Sequence, residues 1–194
     1  AKPADVPTFA ARIHKEAQRM IALVSDILQL SELDSTQASQ SREKPAEMAP
    51  VDLAALLKET AQNMTVNARK AYVTLQYSAQ PATVQGSKDL LAELATNLCD
   101  NAIKYNVTGG RVDLSVSCTG GTAAVMVRDT GIGIPEEERA KIFDRFYKVD
   151  TFTQGTGLGL PICKNIAEQL GGRIGVDSAV GAGSCFWVEI PAGK

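Results

Sequence analysis

The apolar positions near the N-terminus recur in steps of three and four, which is the spacing of one face of an α-helix. They start at Val6, Phe9 and Ile13 and continue to Ile27. This pattern predicts an amphipathic helix over about residues 5–34, roughly 45 Å long at about 1.5 Å per residue. Since a helix of this kind is stabilised by packing, we expect it to pair with other helices in a bundle or a dimer.

A polar segment follows this helix. Residues 35–50 are rich in Ser, Gln, Glu and Lys and contain two prolines, Pro45 and Pro50, which is typical of a linker. We therefore divide the chain into a helical segment at 1–34, a linker at 35–46 and a domain at 47–194.

The domain at 47–194 contains both helical and strand patterns. Helices are expected from a cap at Asp52 to Ala68, from a cap at Ser87 to about Asn106, and from about Leu158 to Leu170. Strands are expected at residues 72–77, 112–116, 123–127, 174–176 and 185–190. These elements predict an α+β fold, a two-layer sandwich of a mixed, mostly antiparallel sheet and three helices, preceded by the long N-terminal helix.

Two glycine-rich segments predict a nucleotide site. They are Asp129-Thr-Gly131-Ile-Gly133 and Gly155-Thr-Gly157-Leu-Gly159. Glycine lets backbone N–H groups turn toward a ligand because no β-carbon intervenes. The second segment opens into a predicted helix, whose positive N-terminus favours phosphate.

A polar face on the second predicted helix adds candidate ligands. Glu93, Asn97, Asn101 and Lys104 follow one another at spacings of four, four and three, so they share one face. Amide oxygens suit Mg²⁺, and a lysine can meet a phosphate. A solvated helix face would explain the same spacing, but asparagine is a poor helix former, so two in one helix need a reason.

Composition narrows the function classes. The chain has 194 residues, 44% of them apolar, and a net charge of −2, which does not favour nucleic-acid binding. No apolar run approaches the roughly 20 residues of a membrane span. The four cysteines are scattered and there is one histidine, so neither a disulfide framework nor a zinc site is indicated. We expect a soluble, cytoplasmic chain with reduced thiols.

In order and spacing, four motifs resemble the asparagine, glycine and phenylalanine boxes of sensor histidine kinases. They are Asn97-Leu-Cys-Asp-Asn101-Ala-Ile-Lys104-Tyr105, Asp129-x-Gly131-x-Gly133, Phe143-x-x-Phe146-Tyr147 and Gly155-Thr-Gly157-Leu-Gly159-Leu. The domain resembles their catalytic ATP-binding domain, which shares its fold with gyrase and MutL ATPases. Residues 13–33 resemble the second helix of the kinase dimerisation hairpin, and the N-terminal stretch is similar to phosphate-sensing kinases.

The resemblance implies roles for individual residues. Asn97 and Asn101 would hold Mg²⁺ against the triphosphate of ATP, and Lys104 would contact phosphate; these three are the expected catalytic residues. Tyr105 would lie against adenine, and Asp129 would accept a hydrogen from its amino group. The other expected contacts are Gly131 and Gly133 at the base, and Lys148, Gly155, Thr156, Gly157, Leu158 and Gly159 at the phosphates.

Two departures from the family pattern limit the resemblance. The single histidine, His14, is followed by Lys15 rather than by the acidic residue of the phosphoacceptor motif, so we expect His14 to lie on a helix surface. The segment between Lys148 and Gly155 is shorter than the Arg- and Ser-rich lid common in the family. Phe143 and Phe146 are expected to anchor this lid, or to be plain core aromatics, rather than to touch ATP.

The sequence therefore predicts a fragment of a sensor histidine kinase that binds ATP but does not autophosphorylate. The implied partners are the phosphoacceptor hairpin of the same kinase, a second copy in a homodimer and the receiver domain of a response regulator. Contact with a membrane would come only through segments upstream of this sequence. Two alternatives remain open, a gyrase- or MutL-type ATPase and a non-catalytic nucleotide-binding module.

Overall fold

A computed structural model describes residues 48–149 and 156–193, together with Ala17, Met20 and Val24. Those three residues are helical and exposed. The rest of the expected N-terminal helix with His14, the linker at 35–46, and Gly155 with the neighbouring lid residues lie outside the described residues.

The described domain alternates strands and helices. The strands are β1 (Ala49–Asp52), β2 (Thr74–Ala79), β3 (Thr83–Gly86), β4 (Arg111–Thr119), β5 (Thr122–Asp129), β6 (Arg173–Ala179) and β7 (Gly183–Pro191). The helices are α1 (Leu53–Lys70), α2 (Lys88–Lys104) and α3 (Gly159–Gln169), with short 3₁₀ turns at Glu136–Glu138 and Lys141–Phe143.

Five strands form the main sheet in the order β2-β4-β5-β7-β6. β2 runs parallel to β4, and the other neighbours are antiparallel. Val112, Leu114 and Val116 of β4 are buried, whereas the residues between them are more exposed, so one face of the sheet packs against the helices. α2 contacts both α1 and α3. The predicted α+β sandwich with three helices is confirmed.

Several local predictions are confirmed and others need correction. Asp52 caps α1, since its Oδ1 accepts from the amides of Ala54 and Ala55 at 2.9 and 3.1 Å. Ser87 occupies the cap position of α2 but makes no side-chain capping bond. The sequence missed the small antiparallel sheet of β1 and β3, because each strand has only four residues and β1 also contains a proline, so neither gives a clear strand pattern.

The strand predicted at 72–77 begins instead at Thr74, because Tyr72, two residues after the end of α1, has a left-handed backbone conformation. Tyr72 has a φ of 57° and is 75% exposed. The amide of Val73 donates to the carbonyl of Ala68 at 2.9 Å, as in a helix end that favours glycine at this position.

We expect Tyr72→Gly to be more stable than Tyr72→Ala by about 0.5–1 kcal/mol, because only glycine adopts this φ without a steric cost from its β-carbon. Comparing the two variants cancels the loss of the exposed ring. Urea unfolding followed by circular dichroism measures the difference. An alanine variant as stable as the glycine variant would contradict the strain at Tyr72.

Candidate functional site

A cavity of about 240 Å³ lies between α2, the loop after β5 and the start of α3. Its walls include most of the site residues expected from the sequence. These are Asn97, Asn101, Lys104, Tyr105, Asp129, Gly133, Lys148, Thr156, Gly157 and Gly159. The fold therefore brings together, in one place, residues that are far apart in the chain.

The polar face of α2 forms one wall of the cavity. Asn97, Asn101 and Lys104 are half-buried and line it. Leu94 and Leu98, which are fully buried, lie on the adjoining face of the helix, each three residues before one of the asparagines. The prediction that Asn97, Asn101 and Lys104 share one face of this helix is confirmed. Glu93 lies one turn before Asn97 and is absent from the cavity lining.

Asp129 is a buried carboxylate with one oxygen already fixed. Its Oδ1 accepts from the amide of Gly131 at 2.7 Å and from the amide of Ser184 at 3.2 Å. Burial raises the pKa of Asp129 by more than these two bonds lower it. The described residues give Oδ2 no hydrogen bond, so Asp129 offers an acceptor to a molecule in the cavity.

The glycine loop after β5 is held close to its surroundings. The amide of Ile132 donates to the carbonyl of Tyr105 at 3.1 Å. Gly133 has a φ of +71°, and a β-carbon there would collide with the carbonyl oxygen of Ala179. Glycine is therefore required by both the backbone conformation and the close approach. Gly131 does not line the cavity; its amide holds Asp129 instead.

The second glycine segment leads into α3 beside the asparagines. A β-carbon built on Gly159 would lie 3.8 Å from Oδ1 of Asn97, so the N-terminus of α3 meets the polar face of α2. Gly157 has a φ of +75°, and its carbonyl accepts from the amide of Phe146 at 3.0 Å. An anion in the cavity would therefore face the positive end of a helix dipole.

Leu158 differs from its neighbours. Its side chain is fully buried in the core, and its amide donates to Oγ1 of Thr156 at 3.3 Å. Leu158 does not line the cavity. Its expected contact with phosphate through the amide therefore stays a prediction, and it requires this bond to be exchanged for one to the ligand.

Two lysines give the cavity a positive region. Nζ of Lys104 lies 5.0 Å from the centre of the Tyr105 ring. Burial is the main reason why the pKa of Lys104 is lowered; Asp100 raises this pKa and nearby Lys148 lowers it further. Two ammonium groups close to each other favour a ligand with several negative charges.

The two phenylalanines of the predicted lid anchor behave differently. Phe143 is partly buried against the core, which agrees with a packing role. Phe146 is 57% exposed and has a φ of 63°, so the interpretation as a core aromatic is wrong for this residue. Neither residue lines the cavity.

Sequence reasoning missed most of the apolar wall. The cavity is also lined by Asp100, Ile132, Ile134, Ile142, Tyr147, Val149, Leu160, Pro161, Ser184 and Phe186. Many of these side chains come from distant elements and look like ordinary core residues in the sequence. The position of Ile132 and Ile134 around Gly133 was the one available signal, since apolar side chains close to the carboxylate acceptor of Asp129 suit a flat heterocycle.

Comparison with known proteins supports a nucleotide site. Residues 86–194 match the family of histidine kinase-, DNA gyrase B- and HSP90-like ATPases. The circadian input-output histidine kinase CikA of Synechococcus elongatus is 34% identical over 191 residues, which cover 94% of this chain and 24% of CikA. This chain thus spans about a quarter of that relative's length.

Solved structures give the same picture. Full-length ShkA in complex with AMPPNP matches with a TM-score of 0.83 at 27% identity, covering 97% of this chain and 39% of ShkA. The catalytic domain of the histidine kinase ThkA matches with a TM-score of 0.68 at 30% identity, covering 75% of this chain and 95% of that domain. Within residues 48–149 and 156–193, no helix has the length and apolar content needed to cross a bilayer.

Proposed function

The chain belongs to the family of histidine kinase-, DNA gyrase B- and HSP90-like ATPases, and from that premise we propose that it is the ATP-binding catalytic domain of a sensor histidine kinase. In this proposal it donates the γ-phosphoryl group of ATP to a histidine outside this sequence. The similarity to CikA and to the ThkA catalytic domain supports the choice of kinase within the family.

One observation carries the proposal: a single cavity combines a carboxylate acceptor with a group of cationic and helix-terminal donors. Oδ2 of Asp129 would accept a hydrogen from the amino group of adenine, a pairing that the carbonyl of guanine cannot make. Lys104, Lys148 and the amides at the start of α3 would bind the phosphates. ATP has both of these parts, and AMPPNP is the ligand in the ShkA complex.

The residues present fit Mg²⁺ delivered with a nucleotide. Among the described residues, no cluster of three or more His, Cys, Asp or Glu side chains could hold a metal by itself. The amide oxygens of Asn97 and Asn101 are neutral ligands, and Mg²⁺ commonly completes its octahedron with water and substrate phosphates. When bound, Mg²⁺ would neutralise charge on the triphosphate.

The chain's own contribution to phosphotransfer would be positioning and electrostatic stabilisation. An imidazole nitrogen of the acceptor histidine would attack the γ-phosphorus in line, while the bond between the γ-phosphorus and the β,γ-bridging oxygen breaks. ADP would leave, and the imidazole would lose its N–H proton to solvent. The phosphoryl group would then pass to an aspartate of a response regulator. We place this reaction in the cytoplasm and in a homodimer of the full-length kinase.

The rival gyrase-type ATPase needs a carboxylate that activates water. At the corresponding position of α2 this chain has the amide Asn97, and the carboxylate of Glu93 does not line the cavity. These two observations favour a kinase over a hydrolase.

A two-part experiment tests the proposal. Calorimetric titration of the chain with Mg-ATP should give saturable binding, with GTP at least tenfold weaker. The chain is then mixed with ATP labelled at the γ-phosphate and a separately supplied helical hairpin that carries a histidine kinase acceptor motif. We expect acid-labile, base-stable label on the hairpin and none on the chain. Release of inorganic phosphate without labelled hairpin would identify an ATPase, and binding without either product would identify a non-catalytic module.

A further inference from the structure

The turn between β6 and β7 lies against the glycine loop that follows β5. The amide of Gly181 donates to the carbonyl of Ile132 at 2.8 Å, and Gly133 approaches the carbonyl of Ala179 too closely for any β-carbon. The turn itself closes with a bond from the amide of Ala182 to the carbonyl of Ala179 at 3.0 Å. The conformation of the glycine loop therefore depends on a turn 40 to 50 residues away in sequence.

One hydroxyl group at the base of this turn joins three segments. Oγ of Ser178 accepts from the amide of Ile134 at 2.8 Å and donates to the carbonyl of Gly183 at 2.9 Å. It also lies 3.0 Å from Oγ of Ser184. Since the one proton of Ser178 is used on Gly183, Ser184 is the donor in this third bond. Ser178 thus uses its donor and both of its acceptor positions.

The segments that Ser178 joins are those that orient Asp129. Ser184 donates its amide to Oδ1 of Asp129 at 3.2 Å, and a β-carbon on Gly183 would collide with the carbonyl oxygen of Asp129. On the other side, Ile134 ends the loop whose first amide, that of Gly131, is the second donor to Oδ1. Ser178 itself does not line the cavity. The hydroxyl of Ser178 therefore holds both backbone segments whose amides donate to the carboxylate of Asp129.

We propose that Ser178 is a positioning residue for the base end of the nucleotide site: it fixes the orientation of Asp129 and the glycine loop, and so sets the affinity for adenine without contacting the nucleotide. This inference rests on the proposed function. A side chain in this role should affect recognition of the base and leave recognition of the polyphosphate unchanged, because Asn97, Gly157 and Gly159 lie on other elements.

The test compares two ligands, Mg-ATP and Mg-tripolyphosphate, by calorimetric titration of the 194-residue chain. We expect Ser178→Ala to weaken Mg-ATP binding by roughly tenfold, as expected when a binding group loses its supporting contacts, and to change tripolyphosphate binding by less than about twofold. Ser178→Thr keeps the hydroxyl on a strand, where β-branched residues are tolerated, and should retain the ATP affinity of the parent chain. Ser117→Ala is the matched control, since Ser117 is a half-buried strand serine that is absent from the cavity lining.

The outcomes separate this inference from the function on which it rests. If the unmodified chain does not bind Mg-ATP, the proposed function and this inference both fail. If the unmodified chain binds and Ser178→Ala binds equally well, or loses both ligands in parallel, the inference alone is overturned. Should Ser178→Ala fail to fold, as judged by circular dichroism, Ser178→Cys gives the same comparison, because a thiol has a similar shape but is a much weaker acceptor.

Discussion

Asp129→Asn is expected to lower the affinity for ATP at least tenfold, which is about 1.4 kcal/mol, without destabilising the domain. The reason lies in how the carboxylate is held. Two amides fix Oδ1 of Asp129, and an asparagine would keep its carbonyl oxygen there. Its Nδ2 would then replace Oδ2, so a donor would face the amino group of adenine. Two donors cannot pair, and each would lose a hydrogen bond.

Stability should change in the opposite direction. Burial raises the pKa of Asp129 above its ordinary value of 3.8, so ionisation of this carboxyl is less favourable in the folded chain than in the unfolded one. A raised pKa means that stability is lost as the pH rises through the shifted pKa. At neutral pH the buried charge therefore costs stability, and the neutral asparagine avoids this cost. We expect the variant to be at least as stable at pH 7, with its advantage shrinking as the pH falls toward 4.

Calorimetric titration with Mg-ATP and urea unfolding at two pH values measure the two effects. Asp113→Asn is a suitable control, since Asp113 is paired with Arg111 at 2.8 Å and does not line the cavity. It should leave ATP affinity unchanged. Unaltered ATP affinity in Asp129→Asn would refute the assignment of Asp129 as the hydrogen-bond acceptor for adenine. A fall in both ATP affinity and stability would indicate a structural role for Asp129.

The sequence predicted the part of the site that depends on the periodicity of a single element, the polar face of α2. The i, i+4 spacing of Asn97 and Asn101 places them on one face of α2, and the buried Leu94 and Leu98 on the adjoining face hold this face at the edge of the core, where it lines the cavity. The prediction that the glycine segments contact the base and the phosphates came from the resemblance to sensor histidine kinases, and the family match confirms this resemblance.

What the sequence did not predict depends on contacts between distant segments. The bond from Ile134 to Ser178 spans 44 residues, and a serine in a strand gives no sign of such a partner. Phe186 faces the cavity only because β7 pairs with β5 in one register. Tyr72 occupies a position that usually requires glycine, so the pattern-based strand began too early.

Asn101→Ala is expected to weaken binding of ATP at least tenfold, about 1.4 kcal/mol, when Mg²⁺ is present, and by less than about twofold in the presence of a chelator. The amide of Asn101 lines the cavity beside Asn97 and Lys104. If it holds Mg²⁺ against the triphosphate, its removal should affect only the metal-bound form of the nucleotide. Because alanine is the better helix former, the variant should unfold at an equal or higher urea concentration.

Glu93→Gln provides the matched comparison on the same helix face, because Glu93 is half-buried one turn before Asn97 but does not line the cavity. We expect this variant to keep the ATP affinity of the parent chain and its ability to label a supplied hairpin. If the parent chain instead released phosphate from ATP and Glu93→Gln abolished this release, Glu93 would be activating water and the chain would be a gyrase-type ATPase. An Asn101→Ala effect of equal size with and without Mg²⁺ would place Asn101 in contact with the nucleotide rather than with the metal. These measurements together therefore assign the polar face of α2 to metal binding, to direct nucleotide contact or to hydrolysis.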